Sequence, residues 1–198
     1  STTTRLLPTP VSRPGGVSFV QISGGNSHTC AMTAAGTVYC WGGNFTGQLG
    51  DGTATTQRLL PNAIAQPSGV SFSRIGVRPP NAWAVTAGGC LNFWVANPFG
   101  QDVDGTTVNR NEPTPVLSSL SFVQFAVGGL HSCGVALGGA TYCWGRNNDG
   151  QLGTGIDAGG NRLAARAVQL PQGVSLTSIS AGWGFTCGLT SSGEVYCW

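Results

Sequence analysis

The sequence predicts an all-β fold, a β-propeller of four-stranded blades. Three observations predict it. The chain repeats itself about every fifty residues, each repeat breaks into short β-prone segments between glycine turns, and no stretch has the length and period of a helix. About four strands per repeat of that length is the pattern of propeller blades.

Aligned on "VSFVQI", "VSFSRI", "LSFVQF" and "VSLTSI", the repeats begin at Val17, Val70, Leu120 and Val174, 50 to 54 residues apart. The opening segment of each repeat is its first strand, and a Gly-containing link leads to a second apolar segment such as "HTCAMT". A glycine turn ("AAG", "LGG", "SSG") connects this to a third segment ending in an aromatic pair. The first three repeats continue into "GQLGDG", "GQDVDG" and "GQLGTG" and close with a Pro-flanked outer segment such as "LLPNAI" or "EPTPVL". Segments of this size, rich in Val, Ile, Phe, Tyr and Trp and bounded by glycine, read as strands. The organisation expected is therefore a repeat at 17–69, a degenerate one at 70–119, a third at 120–173 and a half repeat at 174–198. Residues 1–16 contain "RLLPTPVSRPGG", close to "RLLPNAIAQPSG" of the first repeat, and read as the closing strand of a preceding blade.

Composition narrows the function classes. Of 198 residues, seven are acidic, nine are arginine and none is lysine, a formal balance of +2. Nucleic-acid binding, which calls for a dense basic stripe, is not expected. No apolar run approaches the roughly 20 residues that span a bilayer, so membrane insertion by this segment is not expected either. The opening "STTTRLLPTP" has no signal-peptide pattern and reads as the interior of a longer protein or a processed end.

The stretch "FVQISGGNSHTCAMTAAGTVYCWGGNFTGQLGDG" closely resembles the RCC1 (regulator of chromosome condensation) repeat family. The motif is Gly-Gly-x-x-His-Ser/Thr, a turn, Val-Tyr-x-Trp-Gly, then Asn-x-x-Gly-Gln-Leu-Gly. It runs in full over His28–Gly50 and His131–Gly153, in part over Asn81–Gly105, and as its first half over Phe185–Trp198. The resemblance implies a seven-bladed ring. Three full repeats and a half make only about half of one, so a partial ring is expected.

Cysteines fall at the same two repeat positions three times: Cys30/Cys40, Cys133/Cys143 and Cys187/Cys197. The midpoint of each pair is a three-residue turn with glycine third, a common hairpin type. That register sets the two cysteines opposite each other on adjacent strands, near disulfide distance. The second repeat has Trp83 and Phe93 at these positions. An aromatic pair can replace a bridge by packing but cannot replace a zinc ligand pair or a redox couple. The pairs therefore read as structural disulfides, with reduced buried thiols as the alternative. Disulfides persist where the compartment is oxidising, which predicts a secreted or cell-surface protein. Cys90, outside this frame, reads as a half-buried free thiol, with an intermolecular bridge as the alternative.

The remaining candidates are weaker. His28 and His131 share one repeat position and read as hydrogen-bonded within their blades. Trp41, Trp94, Trp144 and Trp198 recur once per repeat and read as packing between blades, whereas Trp183, in "SAGWGFT", is the binding candidate. Asn44-Phe45-Thr46 is a sequon, so Asn44 is a glycosylation candidate in a secreted protein. The acidic run with Asp102, Asp104 and Glu112 lacks the ligand spacing of a calcium loop, and no catalytic constellation can be assembled. No metal or cofactor is expected, and the chain is not expected to be an enzyme. The function expected is an extracellular interaction or structural module that presents loops to a protein or glycan partner, or packs into a larger assembly. The resemblance also implies an alternative, a guanine-nucleotide exchange factor for a small GTPase.

Overall fold

The computed structural model of the protein describes residues 4–78, 81–95, 97–116, 120–155 and 159–198. Fifteen strands and no helix lie among them. The first sheet holds β1 (Phe19–Gly24), β2 (His28–Thr33), β3 (Val38–Gly42) and β4 (Arg58–Ala63), in that order. The second holds β5 (Phe72–Arg78), β6 (Asn81–Thr86), β7 (Leu91–Val95) and β8 (Arg110–Pro115), again in chain order. The third is built likewise from β9 (Phe122–Val127), β10 (His131–Ala136), β11 (Thr141–Gly145) and β12 (Arg162–Ala167). The fourth has three strands, β13 (Leu176–Ala181), β14 (Thr186–Thr190) and β15 (Val195–Cys197). Residues 4–18, whose sequence echoes an outer strand, carry no strand here.

Successive strands pair antiparallel, as short hairpin loops require. In the first turn Gly36 adopts φ 79° and donates its N–H to the Thr33 carbonyl, while Thr33 N–H returns to Thr37. A side chain would be strained there, and its Cβ would meet the Phe72 backbone at 2.4 Å. This turn fixes the register Thr29↔Trp41, Cys30↔Cys40, Ala31↔Tyr39, so one face carries the two cysteines.

All three cysteine pairs are opposed in register and joined: Cys30–Cys40, Cys133–Cys143 and Cys187–Cys197, each with Cα atoms 4.1 Å apart. Such close approach is the non-hydrogen-bonded type of antiparallel pair, where side chains meet best. In the second sheet Trp83 instead lies over Gly76 of the neighbouring strand, and Phe93 is fully buried. Cys90 lies outside the three bridges and is exposed, not half-buried, because it follows the tip of the β6–β7 turn.

The described chain divides into two compact units. One comprises Ser1–Ala87, Phe93–Val95 and Arg110–Thr114; the other Gly88–Asn92, Ala96–Asn109 and Pro115–Trp198. Within the first, Gln21 of β1 bonds both ways with the Ile75 backbone of β5, and Ser23 accepts from Val77 N–H. Within the second, Ala126, Cys133, Val135, Cys143 and Leu152 pack with Leu176, Ile179 and Ala181 into one core, placing the middle disulfide in its interior.

Candidate interaction surface

The glycine-rich loops have one construction. Asn44, Asn97 and Asn147 each accept the N–H five residues on, from Leu49, Asp102 and Leu152, at 3.0–3.1 Å. The Gln48, Gln101 and Gln151 side chains each accept the N–H two residues back, at 2.8–2.9 Å. With its side chain so used, the glutamine's backbone carbonyl points toward the next repeat. Gln48 O accepts the Trp94 indole N–H at 3.1 Å and Gln101 O that of Trp144 at 2.7 Å. Gln151 O accepts instead from the Thr186 hydroxyl at 3.0 Å. Trp94 and Trp144 are fully buried between repeats as expected, but half-buried Trp41 stacks on Phe19 of its own sheet.

Asn44 is fully buried, and its amide nitrogen donates to the Thr53 carbonyl at 3.1 Å and the Thr53 hydroxyl at 2.8 Å. Asp51 completes this loop with the Thr53 hydroxyl and N–H and with Arg58 at 2.7 Å. Burial pushes its carboxyl up, but the Thr53 and Arg58 hydrogen bonds outweigh that and hold it below the usual range. In the degenerate loop Asp104 takes the same role toward Thr106, and Asp102 occupies the buried place of Leu49 and Leu152. Among the described residues no three His, Cys, Asp or Glu side chains gather to hold a metal. Nor is any described helix long and apolar enough to cross a membrane.

Both histidines are buried, and His131 reaches across to the next sheet. His131 Nε2 lies 2.8 Å from the Thr186 hydroxyl of β14, which itself donates to Gln151 O. The hydroxyl proton being committed to the carbonyl, His131 must donate from Nε2. His28 has Ala82 where His131 has Thr186, and its Nε2 has no hydrogen-bond partner. Burial lowers its pKa to about 4, since a charged ring there would go unsolvated.

Trp183 is one of the aromatics that the fold leaves largely exposed. In the loop between the first two strands of the first, third and fourth sheets, Gly25, Gly128 and Gly182 donate to the carbonyls of His28, His131 and Phe185, all at 2.8 Å. The Trp183 ring packs against Gly129, whose would-be Cβ stands 2.7 Å from it. Trp183 is nonetheless 63% exposed and Phe185 beside it 55%. The Arg146–Asp149 pair, at 3.6 Å, borders them. Two exposed rings beside an ion pair match the composition of protein-binding hot spots, which favour Trp and Arg. The described residues supply no arrangement for acid–base or nucleophilic chemistry there.

The RCC1 repeat profile matches residues 19–48, 122–151 and 176–198, and a second profile of the same repeat matches 35–77, together more than half of the chain. The ultraviolet-B receptor UVR8 of Arabidopsis thaliana is 29% identical over 89% of the chain, which spans 40% of that receptor. Human WBSCR16 superposes with a TM-score of 0.80 at 23% identity, over 94% of this chain and 49% of its own. The receptor kinase CR4 ectodomain of Physcomitrella patens gives 0.60 at 24%, over 97% of this chain and 44% of its own. The chain thus spans about half or less of these three proteins, and with them it has an RCC1-like propeller fold. On its repeats, its loops and its sheets, it belongs to the regulator of chromosome condensation (RCC1) repeat family.

Proposed function

We propose that the chain is a non-catalytic interaction module of an extracellular or cell-surface protein, which recognises a protein partner through the Trp183 loop. The carrying observation is the set of three hairpin disulfides, one buried in a core. Such bridges persist only under oxidising conditions. The CR4 structure is that of a receptor-kinase ectodomain and shares the fold, so the fold is compatible with that setting.

Thiol titration of protein taken from its native setting tests the compartment. One thiol reacting before reduction and seven after supports the reading, whereas seven reacting without reductant overturns it. The partner surface is tested separately by Trp183→Ala, which should weaken capture of the native partner at least tenfold with little change in stability.

A further inference from the structure

The outer strands differ in one respect that the repeat frame conceals. An outer strand leaves a row of backbone groups unpaired, and proline or charge usually blunts such an edge. Strand β4 has Pro61, and β8 has Pro113 and Pro115. At the matching positions β12 has Ala165 and Ala167, and no proline anywhere. Val168 N–H reaches the Thr141 carbonyl on the inner side, so alternation turns the Ala167 N–H outward.

A second change falls in the same repeat. In the first sheet Arg58, which opens β4, is closed off by Asp51. Arg162 opens β12 in the same way, but the position of Asp51 is Thr154. Arg162 reaches only the Gly160 and Asn161 carbonyls, and neither it nor Arg166 pairs with a carboxylate among the described residues. Thr154, Arg162, Ala164, Arg166, Ala167 and Gln169 line an open groove of about 570 Å³ along the strand. Between the pairs Cys143↔Arg166 and Gly145↔Arg162, three residues of β12 oppose one of β11, so the strand loops out between its two arginines and shapes the groove.

We infer that this groove docks an extended acidic segment of a partner protein. One carboxylate takes the place at Arg162 that Asp51 takes at Arg58, a second meets Arg166, and the segment's backbone both accepts from the outward N–H and donates to the outward carbonyl of β12. Charge complementarity and backbone pairing act together, as in strand addition to a sheet edge. A second copy of β12 is disfavoured as occupant, because it would set arginines against arginines. The inference is independent of the Trp183 surface, and neither test bears on the other.

The probe is acetyl-Thr-Glu-Val-Glu-Val-Glu-Thr-amide carrying a fluorophore, titrated by anisotropy against the oxidised protein. Saturable binding is expected, at least tenfold weaker for the Gln-for-Glu peptide and for one N-methylated at alternate backbone positions. Thr154→Asp, which restores the internal carboxylate, should cost at least tenfold. Ala165→Pro/Ala167→Pro, which copies β8, should do the same; if that variant misfolds, the N-methylated peptide decides the backbone's role. Failure to bind, or loss with Gln but not with N-methylation, overturns strand docking. The latter result, with competition by inorganic phosphate, would leave a simple anion site. Self-association of the free protein that Ala165→Pro/Ala167→Pro abolishes would also overturn the inference, by making a second copy the occupant.

Discussion

At the scale of single residues, the unsatisfied ring of His28 sets a pH dependence. Its folded pKa of about 4 lies below the ordinary 6.5, so the unfolded chain takes up the proton first as pH falls. The stability this neutral ring contributes is whole above about pH 6.5 and is lost on descent toward pH 4, by roughly 3 kcal/mol at most. Urea midpoints at pH 7 and 4.5 measure it, and His28→Asn, copying Asn81, should flatten the difference. Val103 offers a second test. Its φ of 52° belongs to the left-handed region, and Gly50 and Gly153 hold the matching positions. Val103→Gly relieves about 1–2 kcal/mol of strain, which offsets most of the burial it removes. The expected net change is within about 1 kcal/mol by denaturant unfolding, far less than such a truncation costs elsewhere in a core. The sequence showed valine breaking the "GQLG" pattern, but only the backbone shows what the break costs.

At the scale of elements, hairpins and loops contribute differently. Replacing Cys133 and Cys143 together by alanine should cost about 2–3 kcal/mol, the worth of closing a short loop, read from thermal or urea unfolding. Trp144→Phe keeps the ring but leaves Gln101 O without its buried donor, so about 1–3 kcal/mol should be lost. Trp41→Phe should cost less, because Trp41 is only half-buried. Strand order and cystine register were legible from the sequence, since a fixed turn and a two-residue period settle both. The loop interior was not. The Asn-x-x-Gly-Gln-Leu-Gly run was visible, but not that Asn44 spends its amide on Thr53 and so buries its own side chain. The groove along β12 also escaped notice, although Thr154, Ala165 and Ala167 stand in plain sequence. Its meaning depends on knowing that Asp51 reaches Arg58 across the loop.

For the whole molecule, the bridges are unevenly shared. The first compact unit holds Cys30–Cys40, and the second holds Cys133–Cys143 and Cys187–Cys197. Reduction should therefore accelerate amide exchange more in β10, β11, β14 and β15 than in β6 and β7, whose hairpin has no bridge to lose. Exchange followed by mass spectrometry, with and without reductant, checks the contrast; equal acceleration throughout would contradict it. Repetition made the architecture readable, because each position was sampled several times and its exceptions stood out. Trp183 stood out in that way, whereas its seating on Gly129 needed coordinates.

The glutamine carbonyl that receives a neighbour's indole has an evolutionary consequence. Because donor and acceptor recur at the same two repeat positions at two successive junctions, Trp94 with Gln48 and Trp144 with Gln101, a duplicated module of that kind arrives already carrying both halves of its junction. Such a chain can lengthen or shorten by complete modules without inventing a new seam.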